Sequence, residues 1–134
     1  MTDFVPSVKI AFYFIAEEFD LEQVTSRMGM TPDGTRTRDD WPTEYFVKTI
    51  WSLEIKEENC IAVSLLFDKL IDILEEKSGV IRNICNDYNI EASFEVTIHC
   101  QDGDNPELVL TREIISFAAS INAEISFDLY CYEQ

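Results

Sequence analysis

Histidine is almost missing from this chain: His99 is the only one in 134 residues. One imidazole cannot build the two- and three-histidine sets on which zinc sites rest. The four cysteines, Cys60, Cys85, Cys100 and Cys131, include no Cys-x-x-Cys pair that would replace them. No apolar stretch approaches the ~18 residues needed to span a bilayer. Residues 1–7 lack the basic stretch and following apolar run of a secretory signal, so none is expected. Bases are scarce too, with 10 Lys and Arg against 26 Asp and Glu and a formal net charge of −16. A field of that sign repels phosphates and anionic lipid, which disfavours nucleic acid and membranes and favours a basic protein as partner. The expected location is the cytoplasm, where the cysteines serve as buried free thiols rather than disulfides.

What the sequence does contain is apolar material for a core. At 46% hydrophobic residues and 134 residues in length it suits a single domain over 1–134. Segments 57–59 and 101–106 are too short to be linkers and read as loops. The acidity is uneven, for from Glu57 onward 16 acids face 4 bases.

Periodicity places the elements. Residues 8–15 (VKIAFYFI) are β-branched and aromatic, with Val8, Ile10, Phe12 and Phe14 on one face of a strand. Asp20 and Gln23 have capping-box spacing for a short helix that buries Leu21, Val24 and Met28 and ends at Gly29. Segment 30–44 (MTPDGTRTRDDWPTE) is turn-rich and is expected to be a long loop. In residues 50–56 Trp51, Leu53 and Ile55 alternate with Ser52, Glu54 and Lys56, which predicts a second strand. Residues 60–76 carry a helical stripe of Leu66, Leu70, Ile73 and Leu74. It continues through Val80, Ile81, Ile84, Cys85 and Tyr88 after an expected break at Gly79.

Residues 91–100 alternate most clearly, Ala92, Phe94, Val96, Ile98 and Cys100 against Glu91, Ser93, Glu95, Thr97 and His99. Thr111 is the predicted N-cap of a helix carrying Ile114, Ile115, Phe117, Ala118 and Ile121. Residues 124–132 form a last strand, with Ile125, Phe127, Leu129 and Cys131 expected to face the core. The order β-α-β-α(α)-β-α-β predicts an α+β fold, a four-stranded, mostly antiparallel sheet with helices packed on one face.

Two acidic surfaces follow from that pattern. On the open sheet face Glu54, Glu91, Glu95, Glu124 and Asp128 fall among Tyr13, His99, Tyr130 and Tyr132, the mixture of aromatics and polar rim found in protein-binding patches. On the long helix Asp68, Asp72, Glu75 and Glu76 lie three and four residues apart, where each like-charge pair costs ~0.2–0.5 kcal/mol. Lys69 and Lys77 relieve that stripe in part. An ordinary solvated face is the plain alternative for both. Arg36, Arg38 and Trp41 form the one basic and aromatic cluster, suited to an anionic ligand or to the domain's own acids.

Catalytic and metal motifs do not assemble. His99 has carboxylates within cross-strand reach but no partnered serine or cysteine nucleophile. Asp102-Gly103-Asp104 begins like a calcium loop, but Pro106, Glu107 and Leu108 occupy positions where such a loop needs ligands and a glycine. No catalytic residue, metal or cofactor is expected.

The segment FDLEQVTSRMGMTP, the strand WSLEI, the stretch DNPELVLTREII and the closing INAEISFDLYCY together resemble the bacterial domain-of-unknown-function 4279 family across nearly the whole chain. After Pro32 the loop reads DGTRTRDDW, where that family often has Lys or Arg followed by Gly-Asp. The resemblance implies an α+β fold, no settled activity and, for some members, a likeness in size and genomic company to immunity proteins that neutralise toxins. The leading expectation is a non-enzymatic immunity-type protein that masks a basic, nuclease-like toxin. The second is a small-molecule or peptide-binding regulatory module using Arg36, Arg38 and Trp41.

Overall fold

The computed structural model describes residues 4–42 and 47–133. The first strand, β1 (Ser7–Ala16), is the hub of the sheet. Its apolar face is dry along its length: Ile10, Phe12 and Phe14 are wholly buried and Val8 nearly so. β3 (Thr49–Glu58) and β4 (Glu91–Gln101) pair with it on either side, both antiparallel. β3 and β4 therefore point the same way, and the chain must cross a layer of helices between them. The helices α2 (Val63–Leu74) and α3 (Ser78–Tyr88) make that crossing.

β4 is followed by α4 (Arg112–Ser120) and then β5 (Glu124–Tyr132), which pairs with β4 in parallel. Parallel neighbours cannot be joined by a tight turn, and α4 supplies the crossover that they need. The first helix, α1 (Leu21–Met28), follows β1. Asp20 caps it by accepting from the Glu22 and Gln23 amides at 3.0 and 3.2 Å. Gly29 ends it at φ 67°, a left-handed conformation that a side chain would strain, with its N–H on Thr25 O at 2.9 Å.

The fold is α+β, as the periodicity predicts, and the sheet is mixed, with five strands among the described residues rather than four, in the order β2-β3-β1-β4-β5. The extra strand, β2 (Gly34–Arg36), lies inside the expected long loop and pairs antiparallel with β3. A 3-10 turn over Arg38–Asp40 follows it. The Asp40 carboxylate accepts from the Thr37 amide at 3.0 Å, which holds its pKa below the usual range. β2 is too short to show a period; only the partner strand makes it a strand. Thr43 and Glu44, the last residues of that expected loop, lie outside the described residues.

Other boundaries also shift. α2 begins at Val63, not Cys60, because Ala62 is extended and bridges Glu107, whose carbonyl takes the Val63 amide at 3.0 Å. The departure from α geometry falls at Glu75–Lys77, ahead of the helical Gly79, where Asp72, Glu75 and Glu76 crowd like charges within one turn. Ile73 and Ile115, expected in the core, are exposed. At 100° per residue each lies about 80–100° from the centre of its helix's buried stripe, set by Leu70 and Leu74 or by Ile114 and Ala118.

Aromatic rings fill the space between sheet and helices. Phe94 on β4 meets Phe12, Phe67 and Phe117 at centroid distances of 5.4, 5.0 and 6.4 Å. Phe14 packs at 5.6 Å on Trp51, whose indole N–H donates to Thr25 Oγ1 at 2.9 Å. That bond satisfies the one polar atom of a wholly buried side chain and fixes α1 over β3. Arg27 also ties α1 to α3, through Asp87 at 2.8 Å and the Tyr88 ring at 5.5 Å. Because Phe94 touches rings from β1, α2 and α4 at once, Phe94→Ala should destabilise the domain by about 3–5 kcal/mol. Urea denaturation should show a lower midpoint at unchanged slope; a loss under about 1 kcal/mol would place the core's centre elsewhere.

Candidate functional site

The face of the sheet turned away from the helices carries the best-formed surface. The strand register writes it out in rows. Glu54, Ala11, Glu95 and Ser126 stand side by side on β3, β1, β4 and β5. The row above is Ser52, Tyr13, Ser93 and Glu124, and the row below is Lys56, Lys9, Thr97 and Asp128. The two carboxylates flank a methyl group. With strands spaced 4.7–4.9 Å apart, their backbones are roughly 10 Å apart and leave a hollow between them.

That hollow is a groove of about 370 Å³, floored by Ala11 and Ser52 and walled by Tyr13, Glu54 and Glu95. Lys9 reaches Glu54 at 3.9 Å, with both side chains about two-fifths exposed, so the pair adds little to stability. Arg36 closes the groove at the β2 edge. Its Nε donates to Lys48 O at 3.0 Å, which aims the guanidinium while leaving its other nitrogens. β2 comes this close because residue 34 is glycine: a Cβ there would sit 2.9 Å from Ser52 Oγ.

Beyond the groove the same face ends in a stack of rings. His99 lies parallel to Tyr130 at 4.7 Å and 6° and to Tyr132 at 6.0 Å and 10°. Its Nδ1 is 2.9 Å from the Tyr132 hydroxyl. The Tyr130 hydroxyl donates to Asp128 at 2.8 Å, and that carboxylate raises the Tyr130 pKa by stabilising the phenol. Phe4 packs on Tyr132 from the amino-terminal side at 5.2 Å. The arrangement offers flat rings with acids between them, a combination that can hold a cationic side chain.

The sequence-predicted residues divide into two groups that the sheet keeps apart. Glu54, Glu95, His99, Asp128 and Tyr130 share the open face, together with Tyr13. Asp68, Asp72, Glu75 and Glu76 are exposed on the helical layer, on the opposite side. Lys69 turns to Glu57 at 3.5 Å, away from that stripe. Of the expected Arg36, Arg38 and Trp41 cluster, the two arginines line different hollows. β2 carries Arg36 to the groove, while Arg38 lines a separate hollow of about 250 Å³ with Glu17, Val47 and Lys48. Trp41 is exposed. Lys9, Ala11 and Ser52 have no sequence signal as site residues, because a base reaches them only through the pairing of β2 with β3.

The cysteines are free, but only Cys100 is buried, with Cys60 and Cys85 half-buried and Cys131 exposed. Cys131 lies at the sheet edge, where no helix covers it. A second pocket, about 310 Å³, brings Cys60, His99 and Asp104 to one end of the sheet. Burial raises the pKa of the Cys60 thiol, and its S–H donates to Ala62 O at 3.2 Å. Among the described residues no three His, Cys, Asp or Glu side chains are placed to hold a metal ion, and no helix is long and apolar enough to cross a membrane.

Cys131 provides a check on this electrostatic picture. Its thiol donates to Asp102 at 3.2 Å, which with desolvation and the adjacent Cys100 pushes its pKa up to about 11. The thiolate forms only as pH rises toward that value. At pH 8 the exposed Cys131 should react with an aromatic disulfide on the order of tenfold more slowly than a simple thiol, its greater nucleophilicity offsetting part of the smaller thiolate fraction. Asp102→Asn should speed the reaction, and Cys131→Ser should identify it. A rate equal to that of free cysteine would mean that the carboxylate does not hold the thiol.

A sequence model described as Domain of unknown function (DUF4279) matches residues 6–132, from the start of β1 to the last residue of β5. No curated protein and no solved structure matches the chain.

Proposed function

The chain belongs to the DUF4279 family, and we propose that it is a non-enzymatic binding protein that engages a basic partner through its open sheet face. The observation that carries this reading is the composition of that face: Glu54, Glu95, Glu124 and Asp128 interleaved with Tyr13, His99, Tyr130 and Tyr132, on a protein of net charge −16. Acids raise the association rate with a cationic surface, and half-exposed rings supply the apolar anchor that charge alone lacks. A toxin that acts on nucleic acid has the required basic cleft, so the finer reading is an immunity-type protein that covers the cleft of a bacterial nuclease-like toxin.

A second reading rests on the groove. Its mixed lining, Lys9 and Arg36 against Glu54 and Glu95 around Tyr13, suits a small zwitterion or a peptide terminus and would make the domain a regulatory module. In that case Arg36→Ala abolishes a ligand-induced thermal shift while charge reversal on β5 leaves it intact.

The partner reading predicts strong dependence on salt. Titration against the basic product of a neighbouring reading frame should give an affinity that falls steadily between low and physiological ionic strength. Glu54→Lys with Glu95→Lys should weaken it at least about tenfold, mostly through the on-rate. Binding that ignores both salt and these charges would sink the proposal.

A further inference from the structure

The two ends of the sheet are unlike. At one end β2 is three residues long; at the other β5 runs for nine, Glu124–Tyr132, with β4 as its only described strand neighbour. A long edge presents a row of backbone N–H and C=O groups to any chain that can lie along it, and proteins usually shorten, bulge or cover such an edge. Among the described residues β5 has none of these devices, and its register with β4 is continuous from Ser93 and Glu124 to Gln101 and Tyr132.

Its side chains are equally uncovered. Phe127 and Leu129 stand in register with the buried Val96 and Ile98, on the side the helices cover further in, yet they are 47% and 56% exposed. α4 reaches only far enough to half-bury Ile125 at the start of the strand. On the other side Glu124, Asp128, Tyr130 and Tyr132 are exposed as well. The strand is therefore apolar on one flank and acidic and aromatic on the other, with its backbone free at the rim.

We infer that β5 is an acceptor strand, and that an extended segment of the basic partner adds to the sheet as a sixth strand along it. This rests on the basic-partner reading and specifies how the partner is held. Backbone hydrogen bonds supply affinity, and alternate side chains supply specificity. The incoming segment alternates apolar residues over Phe127 and Leu129 with Lys or Arg over Asp128 and the Tyr130 and Tyr132 rings. Charge decides against a second copy of this chain as occupant: antiparallel self-pairing would bring Glu124 and Asp128 of two molecules, each of net charge −16, to one seam.

The test uses the intact protein and three synthetic peptides of about six residues, the usual length of a strand. One alternates lysine with valine, one has the same composition in two blocks, and one is the alternating peptide N-methylated on every second amide. The alternating peptide should bind about tenfold more tightly than either of the others and should slow amide exchange along β5. Leu129→Ser, an exposed and charge-neutral change, should weaken it similarly, and Asp128→Asn should reduce its salt dependence. If the three peptides bind alike without protecting β5, edge docking is overturned while the acidic-face reading stands. If none binds and the basic neighbour does not bind either, both fall. Concentration-dependent dimers whose β5 amides are protected without peptide would overturn the inference in favour of a second copy.

Discussion

The central position of β1 is the constraint from which the rest of the structure follows. A strand paired on both sides has no spare backbone groups, and one face of β1 carries Val8, Ile10, Phe12 and Phe14, all buried. That face must be covered by something other than sheet. The helices among the described residues cover it, and they lie in the connections between strands that run in the same direction. The opposite face carries Ser7, Lys9, Ala11 and Tyr13 and needs no cover. The small residues among these, with Ser52 and Ser93 beside them, make the middle of that face lower than its rim. The groove and the ring stack are consequences of a core built entirely on the other side.

Charge is arranged around that core without supporting it. Among the described residues the ion pairs are Lys9 with Glu54, Arg27 with Asp87 and Lys69 with Glu57, all at least partly exposed. Exposed pairs contribute about 0–1 kcal/mol each. Other acids, Asp20, Asp33, Asp40 and Asp128 among them, instead accept hydrogen bonds from nearby amides or a hydroxyl. Stability rests on packing and on a few neutral hydrogen bonds, such as Trp51 to Thr25, while the acids act at longer range on whatever approaches. The open face and the exposed β5 strand meet at Asp128, Tyr130 and Tyr132, so the partner we propose can use both.

Much of this was legible in the residues. Period-two alternation found β1, β3, β4 and β5 within one or two residues, because each has one face in water or at its margin and one toward the core. Asp20, Gly29 and Thr111 marked helix ends, since capping is a local matter of one side chain and the next amides. The acidic and aromatic open face was read correctly from the same alternation, and the structure brings its members together. β2 was not legible, because three residues have no period. The parting of Arg36 from Arg38 was hidden for the same reason: once residues 34–36 become a strand, Arg36 turns to the sheet and Arg38 enters the 3-10 turn that follows. Phe127 and Leu129 misled in the opposite way, since alternation assigns residues to a face without saying whether anything covers that face.

By itself the sequence determined which side of each long strand is apolar, where α1 and α4 start, and the sign and excess of charge. Those are properties of neighbours along the chain. Only the tertiary structure decided that β1 is central and β5 is at the rim, that Glu54 and Glu95 flank Ala11, and that the His99 ring lies parallel to Tyr130 and Tyr132. Each of these depends on which strands lie side by side, and strand order is fixed by long-range packing of the helices against one shared core. The alternation of a strand is the same whether it lies in the middle of a sheet or at its edge.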